Sequence, residues 1–167
     1  MAQTSRIDVR VRAALTSALD LVTAASPLDL SAQIDLASGT GLGAADMQWS
    51  DRRTLAASAT EDLDLAGSLT GPVGGTLTFA RIKAVLVKAA GANTNDVNVT
   101  RPAANGAPLF LAAGDGLSVK PGGLFLWVAP NAAGVAVTAT TGDLLTLANS
   151  AGGTAVTYEI VVIGASA

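Results

Sequence analysis

The chain has 167 residues, no cysteine, no histidine and a formal net charge of -3. Half of it is hydrophobic, 14% is charged and 4% is aromatic, which fits one globular domain with a short extra arm and does not fit two large domains. Disulfides, thiolate metal sites and the serine–histidine and cysteine–histidine nucleophile systems are excluded, and the negative charge is opposite to the basic excess of nucleic-acid binders.

The first residues alternate: Ile7, Val9 and Val11 interleave with Arg6, Asp8, Arg10 and Arg12, the two-residue repeat of a strand with one wet face. The same charges sit where a signal peptide needs an uninterrupted apolar stretch, so no export signal is expected. Val11, Ala14, Leu15, Ala18, Leu19 and Val22 also fit helical spacing, so a strand is predicted for 6–12 while 13–22 stays open between strand and helix. Beyond Pro27, the apolar residues Leu28, Leu30, Ile34 and Leu36 fall on even positions, before a Gly39–Gly43 loop and Met47-Gln-Trp49. Residues 1–50 are read as an N-terminal arm with leading strands, and residues 51–167 as the main β domain.

After residue 60 the pattern is of strands punctuated by turns. One long strand is predicted over 76–88, followed by a turn cluster at 90–96 and a hairpin partner carrying Val97 and Val99. Short β-type runs follow at 109–111, 117–119, 124–128 and 135–139. Their turn signals recur every 8 to 12 residues or so, as in a sandwich or barrel. The runs 143–148 and 156–163, flanking Asn149-Ser-Ala-Gly-Gly153, read as the clearest hairpin. The longest apolar runs fall far short of the roughly 20 residues that a membrane helix needs, so no membrane partner is expected.

Candidate chemistry is sparse. Alternation places Asp62 and Asp64 of Glu61-Asp-Leu-Asp64 on a solvated strand face, with Leu63 and Leu65 opposite, and Asp143 and Glu159 also read as outward residues. Gly39-Thr-Gly-Leu-Gly43 lacks the spacing, the lysine and the strand–helix context of a phosphate loop. Asn93, Asn95 and Asp96 fail the calcium-loop pattern. No catalytic residue, cofactor site or metal site is expected, and the chain is not read as an enzyme. Trp49 and Trp127 are each either core aromatics or interface anchors, the core reading being favoured for Trp127 by its apolar neighbours.

What stands out is the shortage of charge, 14% against about 25% in average soluble domains, with a mean hydropathy of +0.47. Surface of that kind is commonly covered by neighbouring chains, so the composition points to an assembly subunit. The candidate interface residues are Arg6, Ile7, Val9, Arg10 and Arg12 on the arm, with Trp49, Arg52 and Arg53 as a second group. An arginine-bearing arm of this kind either adds to a neighbour's edge or is simply a solvated strand face.

Several strings, taken in order, resemble a known family: Thr54-Leu-Ala-Ala-Ser-Ala-Thr-Glu-Asp-Leu-Asp-Leu-Ala-Gly67, Thr78-Phe-Ala-Arg-Ile-Lys-Ala-Val-Leu-Val-Lys88, Lys120-Pro-Gly-Gly-Leu-Phe125, Gly142-Asp-Leu-Leu-Thr-Leu-Ala-Asn-Ser150 and Gly153-Thr-Ala-Val-Thr-Tyr-Glu-Ile-Val-Val-Ile-Gly-Ala-Ser166. Over residues 54–166 the chain is similar to small virion structural proteins of tailed bacteriophages. The resemblance implies an all-β, jelly-roll-like antiparallel β-sandwich acting as a capsid decoration, or cement, protein on the outer head surface. It further implies the major capsid protein and further copies of the chain, as a homotrimer, for partners, and it carries over no catalytic residue. A tail, baseplate or fibre protein and a carbohydrate-binding host-recognition module are the alternative expectations.

Overall fold

The computed structural model describes residues 2–167; Met1, the first residue of the expected arm, lies outside the described residues. Among the described residues there is no helix, and so none long and apolar enough to cross a membrane. The chain is all-β and its main body is an antiparallel β-sandwich.

The arm is a long two-stranded ribbon. Strand β1 (Ser5–Ala18) pairs antiparallel with β2 (Thr23–Ser38) from Ser5 opposite Leu36 to Ala18 opposite Thr23. A tight turn closes it, with the Leu19 N–H donating to the Val22 carbonyl at 2.9 Å. The segment 13–18 left open by periodicity is therefore strand. The decisive residues are distant in sequence: Ala13 faces Leu28 and Leu15 faces Ser26, so the two-residue repeat of β1 continues as the even-numbered repeat of β2. Pro27 lies opposite Ala14, which a ribbon tolerates because both of its strands are edges.

At its base β2 runs through the Gly39–Gly43 loop into β3 (Ala44–Ala45), which pairs parallel with the end of β2. Gly43 adopts φ +63°, a conformation that favours glycine. In it, the Gly43 carbonyl accepts from the Ala37 N–H at 2.9 Å while its own N–H donates to Pro130 O at 2.7 Å. The loop thus ties the ribbon to the body.

The body comprises β4 (Met47–Leu55), β5 (Thr60–Asp64), β6 (Ala66–Thr70), β7 (Thr76–Thr78), β8 (Arg81–Ala89), β9 (Val97–Thr100), β10 (Gly116–Val119), β11 (Leu124–Val128), β12 (Val135–Ala136), β13 (Leu144–Asn149) and β14 (Val156–Ala165). One sheet has the order β10-β9-β13-β5; the other has β11-β8-β14-β4, with β12 also along β8. The small β6–β7 pair lies beside them. The pairing is nested: β4 with β14, β5 with β13, β8 with β11 and β9 with β10. The division expected between residues 50 and 51 falls inside β4, which pairs with β14 from Met47 to Leu55.

The two hairpins expected from sequence are crossings between sheets. Strands β8 and β9 lie in opposite sheets, as do β13 and β14. A strand that turns back beside its neighbour and one that crosses a sandwich carry the same alternation, because each must send every second side chain into the core. That is what happens here: Val85, Val87, Tyr158, Ile160 and Val162 from one sheet meet Val97, Val99, Leu145 and Leu147 from the other.

The strand expected over 76–88 is broken at Phe79–Ala80. There the Phe79 N–H donates to Leu65 O and the Ala80 N–H to Ala165 O, so the backbone changes partner between β7 and β8. Of the short runs, 117–119 and 124–128 are strands, whereas 135–139 shortens to Val135–Ala136 and 109–111 is not a strand. The 109–111 segment is held by the Arg101 guanidinium, whose Nη1 donates to Phe110 O at 3.1 Å and Leu111 O at 3.3 Å.

A β-bulge sits in the central pair. Ile163 pairs with Ala84 but Gly164 pairs with Ile82, leaving Lys83 as the extra residue. The strand approach is so close here that a Cβ on Gly164 would lie 2.2 Å from Arg81 O and 2.6 Å from the Phe79 ring. Gly164→Ala should destabilise the chain by about 1–3 kcal/mol through overpacking. Gly41→Ala, where nothing lies within 4 Å, should change stability by less than about 0.5 kcal/mol. Urea unfolding midpoints of the two variants check the contrast.

Candidate functional site

The ribbon carries two chemically different faces, because residues opposite each other across an antiparallel pair project to the same side. On one face Arg6 is opposite Asp35, Asp8 opposite Gln33, Arg10 opposite Ser31 and Arg12 opposite Asp29. Arg6 Nε donates to Asp35 Oδ1 at 2.6 Å, and Gln33 Nε2 donates to Asp35 Oδ2 at 2.7 Å. Arg10 grips both oxygens of Asp29, with Nε–Oδ1 at 2.8 Å, and Arg12 Nε reaches Asp29 Oδ2 at 3.3 Å. Hydrogen bonds from Arg10 hold the Asp29 carboxyl below the usual carboxylate range, and those from Arg6 do the same for Asp35. These pairs are exposed, so they set register and neutralise charge more than they stabilise. Arg6, Arg10 and Arg12 are thus already engaged within their own ribbon.

The other face is apolar. Ile7 is opposite Ile34, Val9 opposite Ala32, Val11 opposite Leu30 and Ala13 opposite Leu28, followed by Leu15. Val11 is 50% exposed, Leu28 55%, Leu30 64% and Leu15 77%. At the base of the ribbon this face meets a second apolar surface, since Ile7 lines a groove with Ala84, Leu86, Leu126, Val161 and Ile163, its neighbours Arg6 and Asp8 forming the rim. Those residues alternate with the core positions Val85, Val87, Val162 and the core-packed Phe125 and Trp127, so they form the outer face of the β11-β8-β14-β4 sheet. Leu124, on the same side of β11, is 62% exposed.

The second candidate group separates. Trp49 is only 4% exposed and belongs to the core, which removes it from any interface on this chain. Trp127, favoured as the core residue from sequence, is half-buried and packs at the margin of that core. Arg53 is turned inward at the sandwich edge. Its guanidinium lies 5.3 Å from the Trp49 ring centroid, and it bonds Glu61 Oε2 at 2.6 Å and Asp51 Oδ2 at 3.0 Å. Burial works against the Arg53 charge, but the hydrogen bond and charge of Glu61 outweigh it, so its pKa is raised. Glu61 also accepts from the buried Tyr158 hydroxyl, whose pKa is pushed up first by burial and then by that bond. The Tyr158–Glu61–Arg53 chain joins β14 and β4 of one sheet to β5 of the other. Arg52 alone of this group stays exposed, opposite Glu159 across β4 and β14.

The acidic candidates have structural partners. Asp62 and Asp64 keep to the side opposite Leu63 and Leu65, with Asp62 accepting from the Thr146 hydroxyl and Asp64 from the Ala66 N–H at 2.8 Å. Asp143, read as outward, is instead 6% exposed, because its carboxylate accepts from the Thr140 N–H at 2.6 Å and closes the 138–142 turn. The side chain of Asn93 exchanges a pair of 2.9 Å bonds with the Thr157 backbone, as a neighbouring strand would. Asn95 spends its amide on Asn149 Oδ1 and nearby carbonyls. Among the described residues, no group of three or more acidic, histidine or cysteine side chains is placed to hold a metal ion.

Lys83 escaped the sequence reading. Placed by the bulge, it is fully buried, and its ammonium donates to the carbonyls of Ala132 at 2.8 Å, Gly41 at 3.4 Å and Asn131. Burial, and secondarily the charge of Arg81, hold its pKa below the ordinary lysine value. A lysine flanked by Ile82 and Ala84 inside an apolar strand was the available signal. Its role is positional: it clamps the ribbon-base loop to the 130–134 loop, beside the Gly43–Pro130 bond.

Lys83→Met should therefore loosen the ribbon base. Amide exchange at Gly43 is expected to speed up by on the order of tenfold, while amides of β13 and β14 keep their protection. Equal exchange at Gly43 in both proteins would show that the clamp does not act. Comparison of the chain with protein-family models, with curated proteins and with solved structures found no match.

Proposed function

We propose that this chain is a structural subunit that works by binding: a decoration protein on the outer surface of a bacteriophage head, holding neighbouring major-capsid subunits together, as a homotrimer. The observation that carries the reading is the ribbon. It presents a row of aliphatic side chains from Ile7 to Leu15, uncovered from Val9 outward, over about 26 Å at the usual strand rise per residue. An isolated two-stranded ribbon is marginal in water, and a contiguous apolar face on one is the kind of surface that a partner covers.

Two further observations support it. The nested strand pairing of the sandwich supports the jelly-roll-like part of this reading, an architecture common in viral coats. The strings over residues 54–166 resemble phage virion proteins, and they form β-strands and Gly/Pro turns of the body. In this reading the body is a rigid block and the ribbon a projecting contact element. Burial of its apolar face contributes about 25 cal/mol per Å², less the cost of ordering, at every copy on the lattice.

The test is a shortened ribbon. Replacing residues 8–33 by Asn-Gly keeps the Ile7–Ile34 rung and supplies a two-residue hairpin turn. This variant should keep the circular dichroism and cooperative melting of the sandwich and lose co-sedimentation with purified phage shells that bind the full chain. Retained binding by the variant removes the ribbon from the contact. Failure of the full chain to bind shells removes the head assignment, and labelling confined to a tail tip would favour the tail or fibre alternative.

A further inference from the structure

The ribbon's apolar face and the outer face of the β11-β8-β14-β4 sheet meet at Ile7 and form one continuous seam. We propose that this seam is the contact between copies of the chain, the apolar ribbon face of one copy seating against the ribbon and sheet face of the next. The inference rests on the reading of the chain as an assembly subunit, and it assigns the seam to self-association, so that shell binding depends on the ribbon through the oligomer it builds.

Charge points to a like partner. The ribbon's polar face balances Arg6, Arg10 and Arg12 against Asp8, Asp29 and Asp35, and the direct pairs use up the arginines internally. The apolar face holds no charged residue from Ile7 to Leu15 or across from them. Two such faces meet without like-charge repulsion and without stranding an ion, whereas a strongly charged partner would find nothing to pair with.

Area points the same way. From strand spacing and rise, one ribbon face covers about 450 Å², so two ribbons alone would bury about 900 Å², just short of the roughly 1,000 Å² that a specific interface should clear. Continuing the seam over Leu86, Leu126, Val161 and Ile163, with exposed Leu124 beside them, brings the pair to about 1,300 Å². Both halves of that surface are present on every copy. Contacts that repeat between identical chains close into a ring when the rotation allows, as a cyclic oligomer does.

Sedimentation equilibrium of the purified full-length chain reads this without any shell present. A reversible oligomer is expected at about 10–100 µM, and Leu30→Asp should weaken association at least about tenfold by placing a carboxylate in the middle of the seam. A wild-type chain that stays monomeric over that range overturns the proposal, as does an oligomer that Leu30→Asp leaves intact.

Loss of the face is separated from loss of the ribbon by thiol labelling, because the described chain has no free cysteine to compete. In Val11→Cys the introduced thiol, on the apolar face, should react with maleimide more slowly as protein concentration rises. In Thr16→Cys, on the opposite face, the rate should not change. Equal behaviour of the two positions overturns the seam. An oligomer that ignores purified shells would leave the seam standing and remove the capsid reading; a monomer that coats shells would do the reverse.

Discussion

Along the β8–β14 pairing, Ala89 lies opposite Tyr158, Val87 opposite Ile160 and Val85 opposite Val162, and all of these side chains are fully or almost fully buried against the other sheet. This double row is the centre of the sandwich. It forces β8 and β14 to keep one register for most of their length, so the single extra residue has to appear at the end, where Gly164 lets the backbones touch. The bulge then decides where Lys83 points. With its ammonium among loop carbonyls, Lys83 fixes the 39–43 loop, and that loop fixes the base of the ribbon. The direction in which the arm leaves the body is in this sense a consequence of core packing on the opposite side of the same strands.

A good deal of this was legible in the sequence, and the limits have physical causes. Alternation identified residues 6–12 of β1 and the strand β9, because a two-residue repeat is a direct record of which face meets the core, and β-type runs between turn signals identified β10, β11, β13 and β14. It also gave the correct sides for Leu63, Leu65 and the aspartates between them. What alternation lacks is any record of the neighbour. Leu145, Leu147, Val156, Tyr158 and Ile160 would alternate in the same way whether β13 and β14 paired with each other or faced each other across the core. Hence the sandwich was expected and its crossings were not.

The site followed the same logic. Residues Ile7, Val9, Arg6, Arg10 and Arg12 were singled out on the arm, yet their partners Ile34, Ala32, Asp29 and Asp35 come from β2 and become neighbours only through the register. Half of each face was therefore invisible until the ribbon closed. Trp49 and Arg53 misled for a different reason. A tryptophan near two arginines looks like surface, but the Glu61 carboxylate on the facing edge strand draws Arg53 inward over the indole, which leaves Trp49 buried and Arg53 half-buried. Such compensation depends on a contact between sheets, which spacing along one strand does not encode.

The two faces of the ribbon also differ in what they require of their surroundings. Each arginine on the polar face has a carboxylate within its own ribbon, so water completes that face and nothing else is needed. The apolar face has no such internal solution, since opposed aliphatic side chains shield only their flanks and leave their outer surfaces wet. Cross-strand pairs contribute a few tenths to about 1 kcal/mol each, enough to choose the register but little against the conformational freedom lost on ordering each residue of both strands. The ribbon is thus specified by its own pairing, and in the proposed reading it is completed by a contact from outside. In that reading the Lys83 clamp contributes by fixing the base of the ribbon to the body in advance, which lowers the entropic cost of placing its apolar face against a partner.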